Sequence, residues 1–195
     1  MQEAGKYSEN GTNLKIKSPT DFVNENHRLS REFFIRDVLS VAPELIGKRL
    51  VIRSGNNTFH KFFITETEAY RGSEDKACHA SKGRTIRNDV MFQPGGKIYV
   101  YFVYGMYWML NFVTGEENNP QAVLIRGVEG YDGPGKLTKA LGIDKSYYGE
   151  DLAFSNRIWI EDAGFHPTVK TGPRIGINYA GDYWKNKPWR FFIET

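Results

Sequence analysis

The chain of 195 residues contains one cysteine, Cys78. An internal disulfide is therefore excluded, and so is a zinc or iron–sulfur site built from several cysteines of one chain. An intracellular setting is the simpler expectation. Histidine is scarce too. His27, His60, His79 and His166 show no pairing of the H-x-x-x-H kind, and the spacing of a zinc deaminase is missing. No metal is expected. Long apolar runs are also lacking. The stretch 98–113 is too short, and too interrupted by Gly105 and Asn111, to span a membrane. The polar start, MQEAGKYSENGTNLKIKSPT, has no secretory apolar segment. Internal repeats and low-complexity segments are absent.

Aromatic residues, by contrast, are plentiful at 14 %. The segment KIYVYFVYGMYWMLNF, residues 97–112, holds Tyr99, Tyr101, Tyr104 and Tyr107. A purely structural strand pair would favour Leu, Ile and Val, because a buried tyrosine must satisfy its hydroxyl. As a strand, Ile98, Val100 and Phe102 take one face and Tyr99, Tyr101 and Val103 the other. Gly105 marks a hairpin tip, with a second strand from about Tyr107. Such a stripe fits an aromatic core, and it fits a platform on which bases stack. The net charge of +3 and pI near 8.8 permit nucleic-acid binding without requiring it.

The rest of the chain reads as α+β. Residues 1–28 are polar and aperiodic, a loose arm before one domain over 29–195. Val38, Val41, Ala42 and Leu45 fall at helical spacing, with Asp37 as N-cap and Gly47 as stop, although Pro43 interrupts the pattern. KRLVIR, an Asn-rich turn and FHKFFITETEAY predict two strands. SEDKACHA predicts a short helix capped by Ser73. KGRTIRNDVMFQPGGK is a Gly-rich basic connection. QAVLIRGVE, RIWIE, PRIGINY and WRFFIE read as strands and KLTKALGI as a helix. Strands cluster rather than alternate with helices, which predicts a single, mostly antiparallel curved sheet with flanking helices and a protruding hairpin.

Two stretches could carry chemistry. In ITETEAY, alternation places Ile64, Glu66, Glu68 and Tyr70 on one face, with carboxylates roughly 7 Å apart. That suits water activation at a sugar carbon; it also suits a solvated strand face. His79 could be a site ligand, but a helix-surface residue is the simpler reading. GYDGPGKL, from Gly130, fits G-x-x-x-x-G-K, but the next position is Leu137 where a P-loop needs Ser or Thr. A turn leading into a helix is the simpler reading.

Taken in order, ETEAYRGSEDKACHA, RTIRNDVMF, GGKIYVYFVYGMYWMLN, VLIRGVE, GPGKLTKALGI and PRIGI resemble the alkyladenine (3-methyladenine) DNA glycosylases, from about Phe33 to the C-terminus. The resemblance implies a cofactor-free, monofunctional N-glycosylase of base excision repair without lyase activity. Its partner would be double-stranded DNA carrying alkylated purines, with deaminated purines a further class, and the protein an intracellular monomer with no membrane. By position, Glu68 resembles the base that activates water, and Arg126 and the backbone around Ile175 the groups that place it. Tyr70, His79 and Tyr101 resemble the walls of a base pocket, and Asn111 a floor residue that rejects guanine. Tyr104 resembles a wedge in the DNA stack, and Arg84, Arg87 and Tyr107 contacts to the DNA backbone. Ile175 is bulkier than the family's small apolar residue, and the loop Gly83–Asn88 looks slightly shortened. For Tyr101 and Asn111 to share a pocket, the hairpin between them needs an odd loop or a bulged strand, and a three-residue loop containing Gly105 fits.

Overall fold

A computed structural model describes residues 27–55 and 58–193. The expected arm lies outside these except for His27 and Arg28, as do Asn56 and Asn57 of the expected turn. Arg28 already belongs to the body: it bridges Glu161, and its guanidinium donates to the Leu152 and Ser155 carbonyls.

Helix α1 (Arg31–Phe34) is a single turn. Helix α2 (Val38–Glu44) forms where the spacing predicts, because the Asp37 carboxylate accepts from the Leu39 N–H at 2.9 Å and Val38, Val41 and Ala42 are buried. Pro43 is tolerated since it falls in the last turn and removes one helical bond at most.

Strand β2 (Phe59–Arg71), 13 residues long, is the spine of the sheet. Its first half pairs with β1 (Arg49–Arg53), and its second half lies between β5 (Gln121–Val128) and β9 (Arg190–Ile193). With β3 (Ile98–Val103), β4 (Tyr107–Thr114) and β7 (Ile158–Glu161) the path runs β3-β4-β5-β2-β1-β7. Short β6 (Tyr131–Asp132) joins β5, and β8 (Val169–Gly172) joins β9. The pairings are antiparallel throughout, and α3 (Pro134–Ala140) and α4 (Asp182–Lys185) flank the nine strands. The α+β single-sheet expectation holds.

Strand alternation splits the interior in two. Ile98 and Val100 join Phe34, Val41, Leu110, Phe112 and Val123 in the main core beneath the helices. Tyr99 points the other way, into a smaller cluster with Cys78, Val90, Met91, Val113 and Ala122, against which Tyr70 and Tyr101 pack. The second cluster forms the bed of the site described below.

Three expectations fail. Ile64 does not share a face with Glu66, Glu68 and Tyr70; it lies in the main core with Ala69. The register of β2 on β5 shifts on both sides of Glu66, which resets the alternation. Gly127 permits this, since a Cβ there would lie 2.9 Å from Thr65 Oγ1. SEDKACHA is not a helix. The buried Asp75 carboxylate accepts from the Arg71 and Ala77 N–H groups and fixes a chain of turns, followed by a 3₁₀ turn over His79–Lys82. PRIGINY is not a strand. Gly176 is left-handed at φ +77°, and neighbouring backbone groups meet side chains instead of a ladder. The P-loop alternative also falls: the Thr138 hydroxyl is buried and donates to the Trp108 carbonyl at 2.8 Å, so it is committed to α3 packing.

The hairpin between β3 and β4 has a loop of three residues, Tyr104, Gly105 and Met106, and Val103 pairs with Tyr107. Tyr101 and Asn111 therefore fall on the same face. Tyr104 and Gly105 both have positive φ, +54° and +67°. For a tyrosine this backbone costs about 1–3 kcal/mol, and it carries an 84 % exposed ring out at the tip.

Candidate active site

Glu68 sits mid-sheet on β2, paired with Leu124 of β5 and Arg190 of β9. Its side chain is fully enclosed, so the carboxylate needs partners. Oε2 accepts from the Tyr70 hydroxyl at 2.8 Å, and Oε1 from the Ile175 N–H at 2.7 Å. Arg126 Nε lies 3.5 Å from Oε1 and donates to Glu66 Oε1 at 3.2 Å. Burial raises the Glu68 carboxyl above the ordinary range; Arg126, the Ile175 N–H and the Tyr70 hydroxyl oppose the rise, and Glu66 adds to it. Burial also pushes the Tyr70 phenol well up, helped by the Glu68 charge, so it remains a donor. Tyr70, Arg126 and Ile175, which hold this carboxylate, all line one surface groove of about 910 Å³.

Adjoining the groove is a recess of about 40 Å³ lined by Tyr70, His79, Tyr99, Tyr101 and Asn111, among others. Alone it accommodates a few waters; a planar base requires the wider space it shares with the groove. Tyr101 meets His79 edge-on at 4.5 Å between ring centroids. The Tyr99 hydroxyl and His79 Nδ1 share a 2.8 Å hydrogen bond. Burial, with Arg87 and Lys82 nearby, lowers the His79 pKa to about 4, so the ring is neutral at pH 7. Burial raises the Tyr101 phenol, and it pushes the Cys78 thiol up to about 12, which leaves that sulfur an inert floor atom. Asn111 Nδ2 donates to the Tyr99 and Met109 carbonyls at 3.1 and 3.2 Å, which fixes the amide against the sheet.

The groove rim is cationic. Lys76, Lys82, Arg87 and Arg126 line it, and no aspartate or glutamate is among the described lining residues. Three of these cations, Lys76, Lys82 and Arg87, are not among the groups that hold Glu66 and Glu68, and they give the groove a positive side where a polyanion could lie.

The structure brings most of the expected residues together. Glu68 is bonded to Tyr70 and Ile175 and lies beside Arg126; His79, Tyr101 and Asn111 share the recess with Tyr70; Tyr104 and Arg87 line the groove. Arg87 also lies 5.3 Å over the Tyr101 ring. Arg84 and Tyr107 stand apart. Arg84 pairs with Asp89 at 2.7 Å and covers Phe92. Tyr107 packs on Gly135 at the start of α3, where a Cβ would come within 2.7 Å of its ring.

Four participants were not anticipated. Tyr99 shares strand parity with Tyr101 and was within reach of that argument. Tyr179 sits in the segment read as a strand; its hydroxyl donates to the Ala77 carbonyl at 3.2 Å, across the groove mouth. Arg174 forms a fully buried pair with Asp75, donating from Nη2 to Oδ1 at 2.9 Å, and lies 4.8 Å over the Tyr70 ring. Arg190 holds Glu66. The last two depend on strand order and loop path, which local patterning does not reveal.

Aromatic walls, an enclosed carboxylate and a basic rim suit a planar base and a polyanion, and known proteins place the chain in a class that acts on DNA. The family model described as Methylpurine-DNA glycosylase (MPG) matches residues 32–132 and 130–195. A Rickettsia felis protein named "Putative 3-methyladenine DNA glycosylase" is 46 % identical over 172 residues, covering 85 % of this chain and 92 % of its own. Proteins of the same name from Desulfitobacterium hafniense and Methanocella arvoryzae are 44 % and 42 % identical, over 86 % and 84 % of this chain and 95 % and 91 % of theirs. The chain belongs to the methylpurine-DNA glycosylase family, DNA-repair hydrolases that act on N-glycosyl bonds.

Proposed function

We propose that the protein flips alkylated purines out of duplex DNA and hydrolyses their N-glycosidic bond with a water activated by Glu68, leaving an abasic site and an uncut strand. The observation that carries this reading is the Glu68 carboxylate, fixed by Tyr70, Ile175 and Arg126 beside an aromatic recess. An alkylated purine is electron-poor and often cationic, so it is drawn to the π-faces of Tyr70 and Tyr101. It is also a good leaving group, so one carboxylate that takes a proton from water and faces the developing oxocarbenium suffices. A neutral His79 adds no positive charge against a cationic base. Deaminated purines, being neutral, form a second and slower class of substrate.

Incubation with methylated duplex DNA in the presence of a chelator tests the reading: free methylated purine appears. Binding without release would instead identify a stacking module, the strongest rival, built from the same tyrosines.

Tyr104 and Tyr101 make different predictions. The exposure of the Tyr104 ring at the hairpin tip supports a wedge role: filling the gap left by a flipped nucleotide would offset part of the few kcal/mol of unstacking. Tyr104→Ala is expected to slow single-turnover excision from a paired lesion and to matter less when the lesion is mispaired. Tyr101→Ala is expected to hurt both duplexes alike. Equal losses for Tyr104→Ala on the two duplexes would remove the wedge role.

Asn111 provides the specificity prediction. Its amide is clamped to two carbonyls at the recess wall and cannot swing aside to admit the 2-amino group of guanine. Asn111→Ser is expected to raise excision of guanine-derived bases relative to alkylated adenine. An unchanged ratio would assign Asn111 to strand packing alone.

A further inference from the structure

Arg190, at the start of β9, is paired in register with Glu68 and reaches two groups on either side of it. Nη1 donates to Glu66 Oε1 at 2.9 Å, and Nε donates to the Pro173 carbonyl at 3.0 Å. The same Glu66 oxygen accepts from Arg126 Nε at 3.2 Å. Arg126 is thus shared between Glu66 and Glu68, and Glu66 is shared between Arg126 and Arg190. Two carboxylates and two guanidiniums alternate, and the set is neutral.

We propose that Arg190 is a positioning residue: by holding Glu66 and the Pro173 carbonyl together, it balances Glu66, leaves Arg126 available to Glu68, and sets the pH at which the site becomes active. This rests on Glu68 being the general base. Without Arg190, the Glu66 charge faces Glu68 less compensated and draws Arg126 towards itself. Both changes disfavour the ionised Glu68. The Pro173 contact is the second arm, because it steadies the segment whose Ile175 N–H binds Glu68 Oε1.

The charged and titratable groups around Glu68 come from every neighbouring element. Glu66 and Tyr70 lie on its own strand, Arg126 on β5, Arg190 on β9 and Tyr101 on β3, and Arg174 of the 173–177 segment acts on Tyr70. Tyr70 and Tyr101 stay neutral phenols, and Arg126 and Arg174 are left in place in every variant. Glu66 and Arg190 are therefore the pair whose removal changes the balance in opposite senses. Glu66 already pushes the Glu68 carboxyl up.

The test is the acid limb of single-turnover release of a cationic base, 7-methylguanine, whose departure needs no protonation. Wild type is compared with Glu66→Gln, Arg190→Gln and the double variant. Arg190→Gln is expected to move the limb to higher pH by about one unit. Glu66→Gln is expected to move it lower, and the double variant to return near wild type. Should Arg190→Gln fail to fold, the limb of the double variant must still lie above that of Glu66→Gln, since the comparison removes the Arg190 charge and its hold on the Pro173 carbonyl, both of which favour the ionised Glu68. A purely structural role would lower rates without opposite displacements. Superimposed limbs, or displacements of the same sign, overturn the proposal. A Glu68→Gln variant as active as wild type would instead overturn the general-base reading beneath it.

Discussion

Glu68→Gln is expected to keep the fold and DNA binding and to lose at least ~10²-fold in the rate of base release. The amide is nearly isosteric. Its oxygen can still accept from the Ile175 N–H and face Arg126, and its NH₂ can donate to the Tyr70 oxygen, which rotates its own proton away. What disappears is the negative charge and the ability to take a proton. Because the group is enclosed, no bulk water substitutes for it. Glu66→Gln is expected to cost much less at neutral pH, since Glu66 lies against two arginines and acts on Glu68 through them. Single-turnover release with matched DNA-binding isotherms distinguishes the two. A larger loss for Glu66→Gln would reverse the assignment.

Asp75→Ala is expected to produce the largest loss of stability, about 3–5 kcal/mol. Both members of the Arg174–Asp75 pair are fully buried, so the variant strands a guanidinium in the interior. It also removes the acceptor for the Arg71 and Ala77 N–H groups. Arg174 keeps its bond to the Ala69 carbonyl and its stacking on Tyr70 and Trp189, which do not neutralise the charge. For a domain of this size the midpoint of thermal unfolding should fall by about 10 °C. The effect should extend to catalysis, because the pair joins the turn that carries His79 to the segment that carries Ile175. A fall of a degree or two, with wild-type activity, would show that the pair neither stabilises the fold nor connects the two walls.

Period-two alternation made the tyrosine hairpin legible, and parity required an odd loop or a bulge before Tyr101 and Asn111 could share a wall; the structure has the three-residue loop. Helix α2 was legible from apolar spacing and an N-cap aspartate. Alternation failed at Ile64 because a two-sided register shift around Glu66 depends on Gly127 of another strand. Local propensity failed at SEDKACHA because Asp75 answers to Arg174, 99 residues away. PRIGINY looked like a strand from its isoleucines, yet its backbone is claimed by Glu68 and Arg190 side chains. The positions that departed from local expectation surround the enclosed carboxylate, where long-range pairing outweighs local preference.

The most direct measurement uses a duplex carrying one alkylated purine at a defined position, incubated with wild type and with Glu68→Gln. The account predicts free base by chromatography from wild type, a single abasic site at that position, and a strand that breaks there only after alkali. The Glu68→Gln protein should bind the same duplex and release almost none. Binding without base release by wild type, or equal release by the two proteins, would contradict the account.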